Sequence, residues 1–215
     1  MPRWEFENIV LSPRQEQIIL GTSLGDGSLS IGKRSRNARF STSSRNQDRE
    51  YVFWKYRELE STGLFLHPPQ QRLRQTPFGS SFGWGLRSRA HPVFTEFHRL
   101  FYPDGKKTAP VEVLDKLDDF GLAIWYQDDG YFHWHHSEYP RVSLCTYGFS
   151  LEENQVIGDW FKGKYGLLFK LQTRPRALGG KAYRLALGRT QEVQRFLDIV
   201  KPHIHPCMGR KLGGS

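Results

Sequence analysis

Two stretches of sequence decide the fold of this chain: ILGTSLGDG at residues 19–27 and LAIWYQDDG at residues 122–130. Each is a short apolar run of helical character that ends in an aspartate followed by glycine. Asp26 and Asp129 stand 103 positions apart, about half the length of the 215-residue chain. Because glycine lets the backbone leave a helix sharply, each carboxylate is expected at a helix tip. A repeated acidic residue at the end of a repeated apolar helix predicts one divided active site.

The segments that follow the two stretches repeat the same order of predicted elements. Helices are predicted to lead into Asp26 (from Pro13, after the N-cap Ser12) and Asp129, and then over 47–61, 91–102, 151–165 and 190–200. Strands are predicted at 28–31, 38–43, 70–76, 81–88, 131–136, 140–147, 167–174 and 181–187. We therefore expect an α+β protein of tandem αββαββα repeats, with a first repeat over 1–103, a linker over 104–113 and a second repeat over 114–215.

The charge balance indicates the kind of partner. Lysine and arginine number 31 against 22 aspartates and glutamates, which gives a net charge of +9 and an isoelectric point near 9.7. A basic domain of this kind favours nucleic acid. A membrane partner is not expected, because no apolar run approaches the roughly 20 residues of a spanning helix.

The compartment is bounded by two further observations. The amino-terminal MPRWEFENIV lacks the charged-then-apolar pattern of a signal peptide. Two cysteines, Cys145 and Cys207, are too few for a disulfide framework and suit a reducing interior. We expect an intracellular protein, in a bacterial or archaeal cytoplasm or nucleoid or in an organelle, and not a secreted one.

The two aspartates predict a metal-dependent reaction. If the two helices pack side by side, with Gly21, Gly25 and Ala123 allowing close approach, both carboxylates arrive together. Paired carboxylates repel each other unless a cation lies between them. Hard oxygen ligands and a phosphate partner favour Mg²⁺, and Mn²⁺ or Ca²⁺ are compatible with the same site. Such a metal activates water and stabilises the attacking and leaving oxygens of a phosphodiester.

Two lysines extend the symmetry. Lys107 follows Asp26 by 81 residues, and Lys211 follows Asp129 by 82 residues. Each comes after the last predicted helix of its repeat, where an ammonium would stabilise the transition-state phosphate or help to organise the attacking water. Lys106 competes with Lys107 for this role, and a plain basic loop is the alternative for all three.

The two stretches resemble the motif helices of a single-chain LAGLIDADG homing endonuclease, and the resemblance extends over residues 12–212. LAIWYQDDG followed by an aromatic residue is characteristic of that family, whereas LGTSLGDGS is a weaker match. The family implies two pseudo-symmetric halves whose antiparallel sheets form a saddle over duplex DNA, with the motif helices packed at the centre. It also implies cleavage of both strands across the minor groove, with one acidic residue of each motif binding the metals.

Transferred by motif position, the metal-binding carboxylates are Asp26 and Asp129. Ile124 and Asp128 depart from the pattern of the family name, which has glycine and alanine at these positions. Neighbouring helical residues point about 100° apart, so only one of Asp128 and Asp129 is expected to face the metals. Asp129 aligns with Asp26 before glycine, and the candidate metal set is these two aspartates with the adjacent Gly25 and Asp128.

A DNA-reading surface is predicted from polar and basic residues at alternate strand positions, which share one face of a sheet. Arginine and serine are suitable donors for base edges in the major groove, while turn arginines and lysines position phosphates. The predicted DNA-binding residues are Arg34, Arg36, Arg39, Ser41, Ser43, Arg72, Arg74, Arg87, Arg89, His133, His135, Arg141, Ser143, Arg174, Arg176, Lys181 and Arg184.

Two histidine-containing clusters have an alternative reading as metal ligands. His133, His135 and His136 form one, and His203, His205 and Cys207 form the other. Neither supplies the four well-spaced ligands of a structural zinc site, which favours DNA contact or loop packing.

The sequence therefore predicts a monomeric, Mg²⁺-dependent endonuclease that cuts both strands of double-stranded DNA at a long, rare and asymmetric site. Two alternatives share this fold. One is an RNA-binding intron maturase, with intron RNA as partner, and the other is a DNA-binding regulator without catalytic activity. The presence of both aspartates favours the nuclease.

Overall fold

The computed structural model describes residues 8–76, 79–136, 138–175 and 180–213. The chain divides into two compact units, Met1–Leu100 and Phe101–Ser215. Within the described ranges, none of the helices combines the length and apolar character needed to span a bilayer.

The first unit contains three α-helices and a four-stranded antiparallel sheet in the order β1-β2-β4-β3. Short 3₁₀ turns at Asn46–Asp48 and Glu60–Thr62 flank its second helix. The elements are α1 (Pro13–Leu24), β1 (Ser28–Ile31), β2 (Ala38–Arg45), α2 (Arg49–Leu59), β3 (Gln70–Thr76), β4 (Gly79–Arg87) and α3 (Pro92–Phe101), whose last residue opens the second unit.

The second unit repeats this order after one additional short helix at its start, and its sheet runs β5-β6-β8-β7. Its elements are α4 (Val111–Lys116), α5 (Asp119–Asp129), β5 (Gly130–His135), β6 (Tyr139–Leu144), α6 (Leu151–Tyr165), β7 (Lys170–Pro175), β8 (Lys181–Leu187) and α7 (Thr190–Val200). 3₁₀ turns at Lys201–His203 and Pro206–Leu212 follow. Each unit therefore consists of one four-stranded antiparallel sheet with helices, and the two together have the predicted α+β architecture.

The helix starts follow from local capping chemistry. Ser12 accepts a hydrogen bond from the backbone of Gln15, whose side chain caps Ser12 in return. Ser150 and Glu153 form the same reciprocal pair at the start of α6. Each box satisfies two backbone N–H groups that a helix start leaves open, and both starts stand where the sequence predicted them.

Each sheet has one apolar and one polar face. In the first unit Leu29, Phe40 and Leu86 are buried under the helices, and in the second Val142 and Leu185 take this role. The strand residues between them face the other way, because side chains alternate along a strand. The helices therefore cover one side of each sheet and leave the polar side open.

The structure differs from the sequence prediction in two places near the motifs. Helix α1 ends at Leu24, so that Asp26 lies in a turn beyond it rather than at its tip. The helix α4 covers Val111–Lys116, where no helix was predicted. The predicted repeat boundaries at residues 103 and 114 stay predictions.

Candidate active site and nucleic-acid interface

The motif helix of the second unit carries its aspartate as the last helical residue. Asp118 caps α5 by accepting a hydrogen bond from Gly121 N at 2.7 Å. The helix is buried on all sides from Phe120 to Gln127, and Asp129 is half-buried at its end. Gly130 then enters β5 directly; a Cβ there would lie 1.9 Å from the ring of Tyr126. Only glycine fits at this close approach, which fixes the direction in which the chain leaves Asp129.

The structure brings Lys211 to this helix end. Its ammonium donates a hydrogen bond to the carbonyl of Gly130, the residue after Asp129. Its own carbonyl accepts a hydrogen bond of 2.7 Å from the hydroxyl of Tyr126. Lys211 is only 9% exposed. A lysine singled out by its spacing therefore bonds the residue that follows the motif aspartate of its own unit, and its catalytic role stays a prediction.

The pKa of the Cys145 thiol is affected by the charged groups at this helix end. Its backbone N–H donates to the carbonyl of Asp129 at 2.9 Å. Burial raises the pKa of the thiol above its ordinary value, the charge of Asp129 raises it further, and Lys211 and Arg184 oppose the shift. An acidic group and two cationic groups thus act on one small volume at the end of α5.

The motif of the first unit ends differently. Gly25 follows α1 with non-helical backbone angles, and Asp26 is exposed in the turn. Gly27 donates a backbone hydrogen bond to Thr22 O at 2.6 Å, and a Cβ on it would lie 2.6 Å from that oxygen. Asp26 borders a concavity of about 280 Å³ on the polar side of the sheet. That concavity is lined among others by Ser28, Ser41, Ser43 and Arg72.

The two candidate lysines after α3 differ in exposure. Lys107 is half-buried and Lys106 is exposed, in a loop that Thr108 N closes onto Phe101 O at 2.8 Å. The choice between the two lysines stays a prediction.

The polar face of the first sheet gathers most of the predicted DNA-binding residues of its half. Ser41 pairs with Ser28 and Arg87, and Ser43 pairs with Gly85, so their side chains share a face. The side chain of Arg72 crosses this face, since its guanidinium Nε lies 3.3 Å from the Cβ position of Gly85. Arg39 belongs to the same face of β2, while Arg34, Arg36 and Arg89 are exposed outside the strands. Arg74 pairs with Ser81 in the register of β3 with β4.

The second sheet presents a corresponding polar face. The strand register pairs His133 with Arg141, His135 with Tyr139 and Gln172 with Arg184. Arg184 donates through Nε to Gln172 Oε1 at 2.7 Å and also donates to the hydroxyl of Tyr131. Ser143 and Arg174 belong to the same face.

The structure does not place two of the predicted DNA-binding residues, Lys181 and Arg176, on the polar face. Lys181 pairs with Pro175 and stands three residues before Arg184, an odd separation that puts the two on opposite faces of β8. The predicted shared face for Lys181 and Arg184 is therefore wrong. Arg176 lies outside the described residues.

Several polar atoms on these faces have no protein partner among the residues that the structure describes. They are Arg39 Nε, His133 Nδ1, Arg141 Nε and Ser143 Oγ, each buried. Burial first, and then the charges of Arg184 and Arg141, lower the pKa of His133, which favours the neutral ring. Buried polar groups are costly without partners, so water or a bound molecule would satisfy these atoms.

The histidine and cysteine clusters do not form a metal site in the described ranges, where no group of three or more His, Cys, Asp or Glu side chains converges. His205 Nδ1 instead lies 3.0 Å from Cys207 Sγ, and the His203 ring contacts Phe120. These contacts fit the loop-packing interpretation.

The LAGLIDADG DNA endonuclease family model matches residues 16–196. The chain belongs to that family. Its two αββαββα units and their motif ends are thus the LAGLIDADG architecture that the sequence resemblance implied.

Individual relatives match most of this chain. The DNA endonuclease I-ChuI of Chlamydomonas applanata is 26% identical over 94% of this chain and 95% of its own length. Protein RecA of Mycolicibacterium chitae is 30% identical over 94% of this chain but over only 47% of its own. The chain therefore spans about half the length of this and similar RecA relatives.

Solved structures show the same fold. The homing endonuclease I-WcaI bound to its DNA recognition sequence superposes with a TM-score of 0.82 at 22% identity, covering 94% of this chain and 87% of that one. I-DmoI in complex with DNA and Mn gives 0.53 at 9% identity, covering 89% of this chain and 99% of that one. A complex of I-DmoI with DNA and Ca gives 0.50 at 10% identity, with 87% and 89% covered.

Sequence reasoning missed three residues around the second motif: Tyr126, Gln127 and Tyr131. Tyr126 and Gln127 lie inside the apolar motif, where periodicity marks them only as buried. Tyr131 follows the motif as the characteristic aromatic, but its bond to Arg184 depends on strand register. The polarity of Gln127 within an apolar helix was the one available signal.

Proposed function

We propose that this protein is a monomeric, site-specific endonuclease that uses Mg²⁺ to cut both strands of a long, rare and asymmetric DNA target. The observation that carries the proposal is the bond of Lys211 to the carbonyl of Gly130, directly after Asp129, with Arg184 bonded to Tyr131, the next residue of the chain. A carboxylate for metal, a cation for phosphate and an open polar sheet face then occur together in one unit.

The donor groups fit a divalent cation. Carboxylate oxygens are hard ligands, and Mg²⁺ needs only one or two from the protein when waters and substrate phosphates complete its shell. Asp26 in the first unit and Asp129 in the second are the proposed carboxylate ligands for such cations, with Gly25 and Asp128 adjacent to them in the chain. The Mn and Ca complexes of I-DmoI support divalent metal use in this fold. A bound divalent cation supplies Lewis acidity toward the scissile phosphate and lowers the pKa of water.

The side chains of this chain have separable roles in the proposed reaction. Asp26 serves one strand and Asp129 the other. Lys211 and Lys107 supply positive charge where the phosphate becomes more negative in the transition state. The polar sheet faces bind base edges and phosphates and set the register of the DNA. The unlike sequences of the two faces favour a target that is not palindromic.

The first test is a cleavage-site selection from a randomised duplex library with purified protein and Mg²⁺. We expect one long sequence to be recovered, and no cleavage when EDTA replaces the metal. Failure to cut any duplex while still binding a specific DNA would identify a regulator instead. Binding of intron RNA without DNA cleavage would identify a maturase.

The second test replaces each motif aspartate in turn. Asp26→Asn and Asp129→Asn remove a charge but keep the shape, so both variants should bind the selected target with unchanged affinity. Cleavage should fall by about a thousandfold or more, as expected when transition-state stabilisation is lost. Normal cleavage by both variants would eliminate the proposed site.

A further inference from the structure

The carboxyl-terminal segment, residues 201–213, is tethered to helix α5 by Gln127. This side chain is 1% exposed within an otherwise apolar helix. Its Oε1 accepts a hydrogen bond from His205 N at 2.7 Å, and its Nε2 donates to His203 O at 3.4 Å. The same Nε2 donates to Ala123 O at 3.1 Å, within the helix. A buried amide with this many bonds is held in one orientation, and it fixes the start of the segment.

Tyr126 is a second tether at the other end of the segment. The side chain is fully buried, and its hydroxyl donates to the carbonyl of Lys211 at 2.7 Å. Burial raises the pKa of the phenol well above its ordinary value, so the hydroxyl stays a neutral donor. The ring packs edge-on against Phe196 at 5.0 Å between centroids. Ring packing therefore aims the hydroxyl at the backbone of Lys211.

The two bonds of Lys211 place its ammonium in relation to Asp129. Its carbonyl is held by Tyr126, three residues before Asp129, and its ammonium is held on the carbonyl of Gly130, one residue after. The segment also passes close to β5 at Gly213, where φ is +83° and the Phe132 ring lies 2.7 Å from the Cβ position. The position of this charge is thus set by the motif helix itself.

We propose that Tyr126 is a positioning residue that sets the Lys211 ammonium for cleavage of one DNA strand, with Gln127 securing the same segment. This inference rests on the proposed nuclease function. It predicts an effect on one strand only, because the motif of the first unit has Ser23 and Leu24 at the corresponding positions. Leu24 offers no polar atom, and Ser23 Oγ is buried with no hydrogen-bond partner in the described part of the chain.

The test uses the full chain and a supercoiled plasmid carrying the selected target, under single-turnover conditions with excess protein and Mg²⁺. Tyr126→Phe removes only the hydroxyl and should slow cleavage of one strand about tenfold, since small displacements of a reacting group are costly. Nicked plasmid should then accumulate. Lys211→Met should slow the same strand more strongly. DNA affinity, measured by gel shift, should not change.

A matched control is available in the same unit. Tyr165 donates its hydroxyl to Asp119 Oδ1 at 2.9 Å, in a bond that involves no residue of the segment 201–213. Tyr165→Phe therefore loses a comparable hydrogen bond and should leave the ratio of the two strand rates unchanged. Gln127→Met, which breaks the other tether, should slow the same strand as Tyr126→Phe.

The readout is the ratio of the two strand rates within one sample, which does not depend on the fraction of folded protein. Equal slowing of both strands, no slowing, or slowing of the strand that does not depend on Lys211 would overturn the inference. Failure of the unmodified protein to cut is a different result, because it removes the nuclease function itself.

Discussion

The two motif ends carry the same Asp-Gly pair in different local structures. In the second unit α5 extends through Asp129 and passes directly into β5. In the first unit α1 stops at Leu24, and Asp26 lies in a turn before β1. Asp129 is half-buried and precedes the glycine whose carbonyl Lys211 bonds, whereas Asp26 is exposed at the rim of a polar concavity. A repeated motif therefore preserves the residue type without preserving its setting.

The difference has a local cause one residue before each aspartate. The first motif has Gly25, which adopts φ −92° and ψ −125°, outside the helical region. The second motif has Asp128 at this position, and the helix continues through it. Glycine disfavours a helix by about 1 kcal/mol relative to alanine because it loses more conformational freedom. A single substitution thus changes where the helix ends.

The largest expected effect that tests the comparison of the two units is the loss of strand cleavage in lysine variants. If both halves use the same chemistry, Lys211→Met should slow one strand about a hundredfold and Lys107→Met the other. Lys106→Met should then change neither rate. Strand-specific rates on an end-labelled duplex measure all three variants. If Lys106→Met slows cleavage of one strand selectively, the catalytic role belongs to Lys106 rather than Lys107. If only Lys211→Met slows cleavage, the two units do not use the same chemistry.

An effect of intermediate size is expected on the free energy of unfolding when Gly27 or Gly130, the glycines that follow the two aspartates, is replaced. Gly130→Ala would drive a Cβ into the buried Tyr126 ring, and Gly27→Ala would drive one into the carbonyl of Thr22. Each should lower the free energy of unfolding by about 2 kcal/mol, because neither neighbour can move freely. Urea unfolding curves measure the change.

The control for this pair is Gly158→Ala in the middle of α6, where no atom outside the adjacent helix backbone lies within 4 Å of the added Cβ. It should raise stability by roughly 0.5 kcal/mol, since alanine favours a helix. A loss in this control equal to that of Gly130→Ala would show that close approach is not the cause.

The smallest expected effect is a difference in DNA affinity between substitutions on the two faces of strand β8. Arg184→Ala removes a side chain from the polar face and should weaken binding of the selected DNA about tenfold. Lys181→Ala, on the other face of β8, should weaken it less than about twofold. Fluorescence anisotropy at one fixed salt concentration is required, because phosphate contacts depend on ionic strength. Equal losses would contradict the assignment of the faces.

Much of the fold follows from local sequence signals. The helix over Leu151–Tyr165 could be predicted with its bounds because Ser150 and Glu153 form its capping box and Gly166 ends it in a left-handed turn. The strands could be predicted because turn residues punctuate alternating patterns. The end of α1 was missed because a glycine such as Gly25 is compatible with a helix interior or with a helix end, and the apolar pattern before Asp26 fits both.

The candidate site was less predictable than the fold. Spacing placed Lys211 near Asp129, since each lysine follows the last helix of its repeat. Spacing could not reveal that Tyr126 and Gln127 hold the segment, because both bonds join residues more than 70 positions apart. The error at Lys181 has a simpler source: it and Arg184 were grouped by charge, although an odd separation in a strand separates their faces.

Arg184 carries a consequence for attempts to reprogram target choice. Its guanidinium is engaged at once by Gln172 on the neighbouring strand and by the hydroxyl of Tyr131 two strands away. Changes at residues in one hydrogen-bonded network do not add. Libraries that randomise Arg184 alone would therefore sample a side chain still constrained by its native neighbours. A library meant to change the DNA target through this part of the sheet should therefore vary Arg184, Gln172 and Tyr131 together, because the three side chains act as one hydrogen-bonded unit.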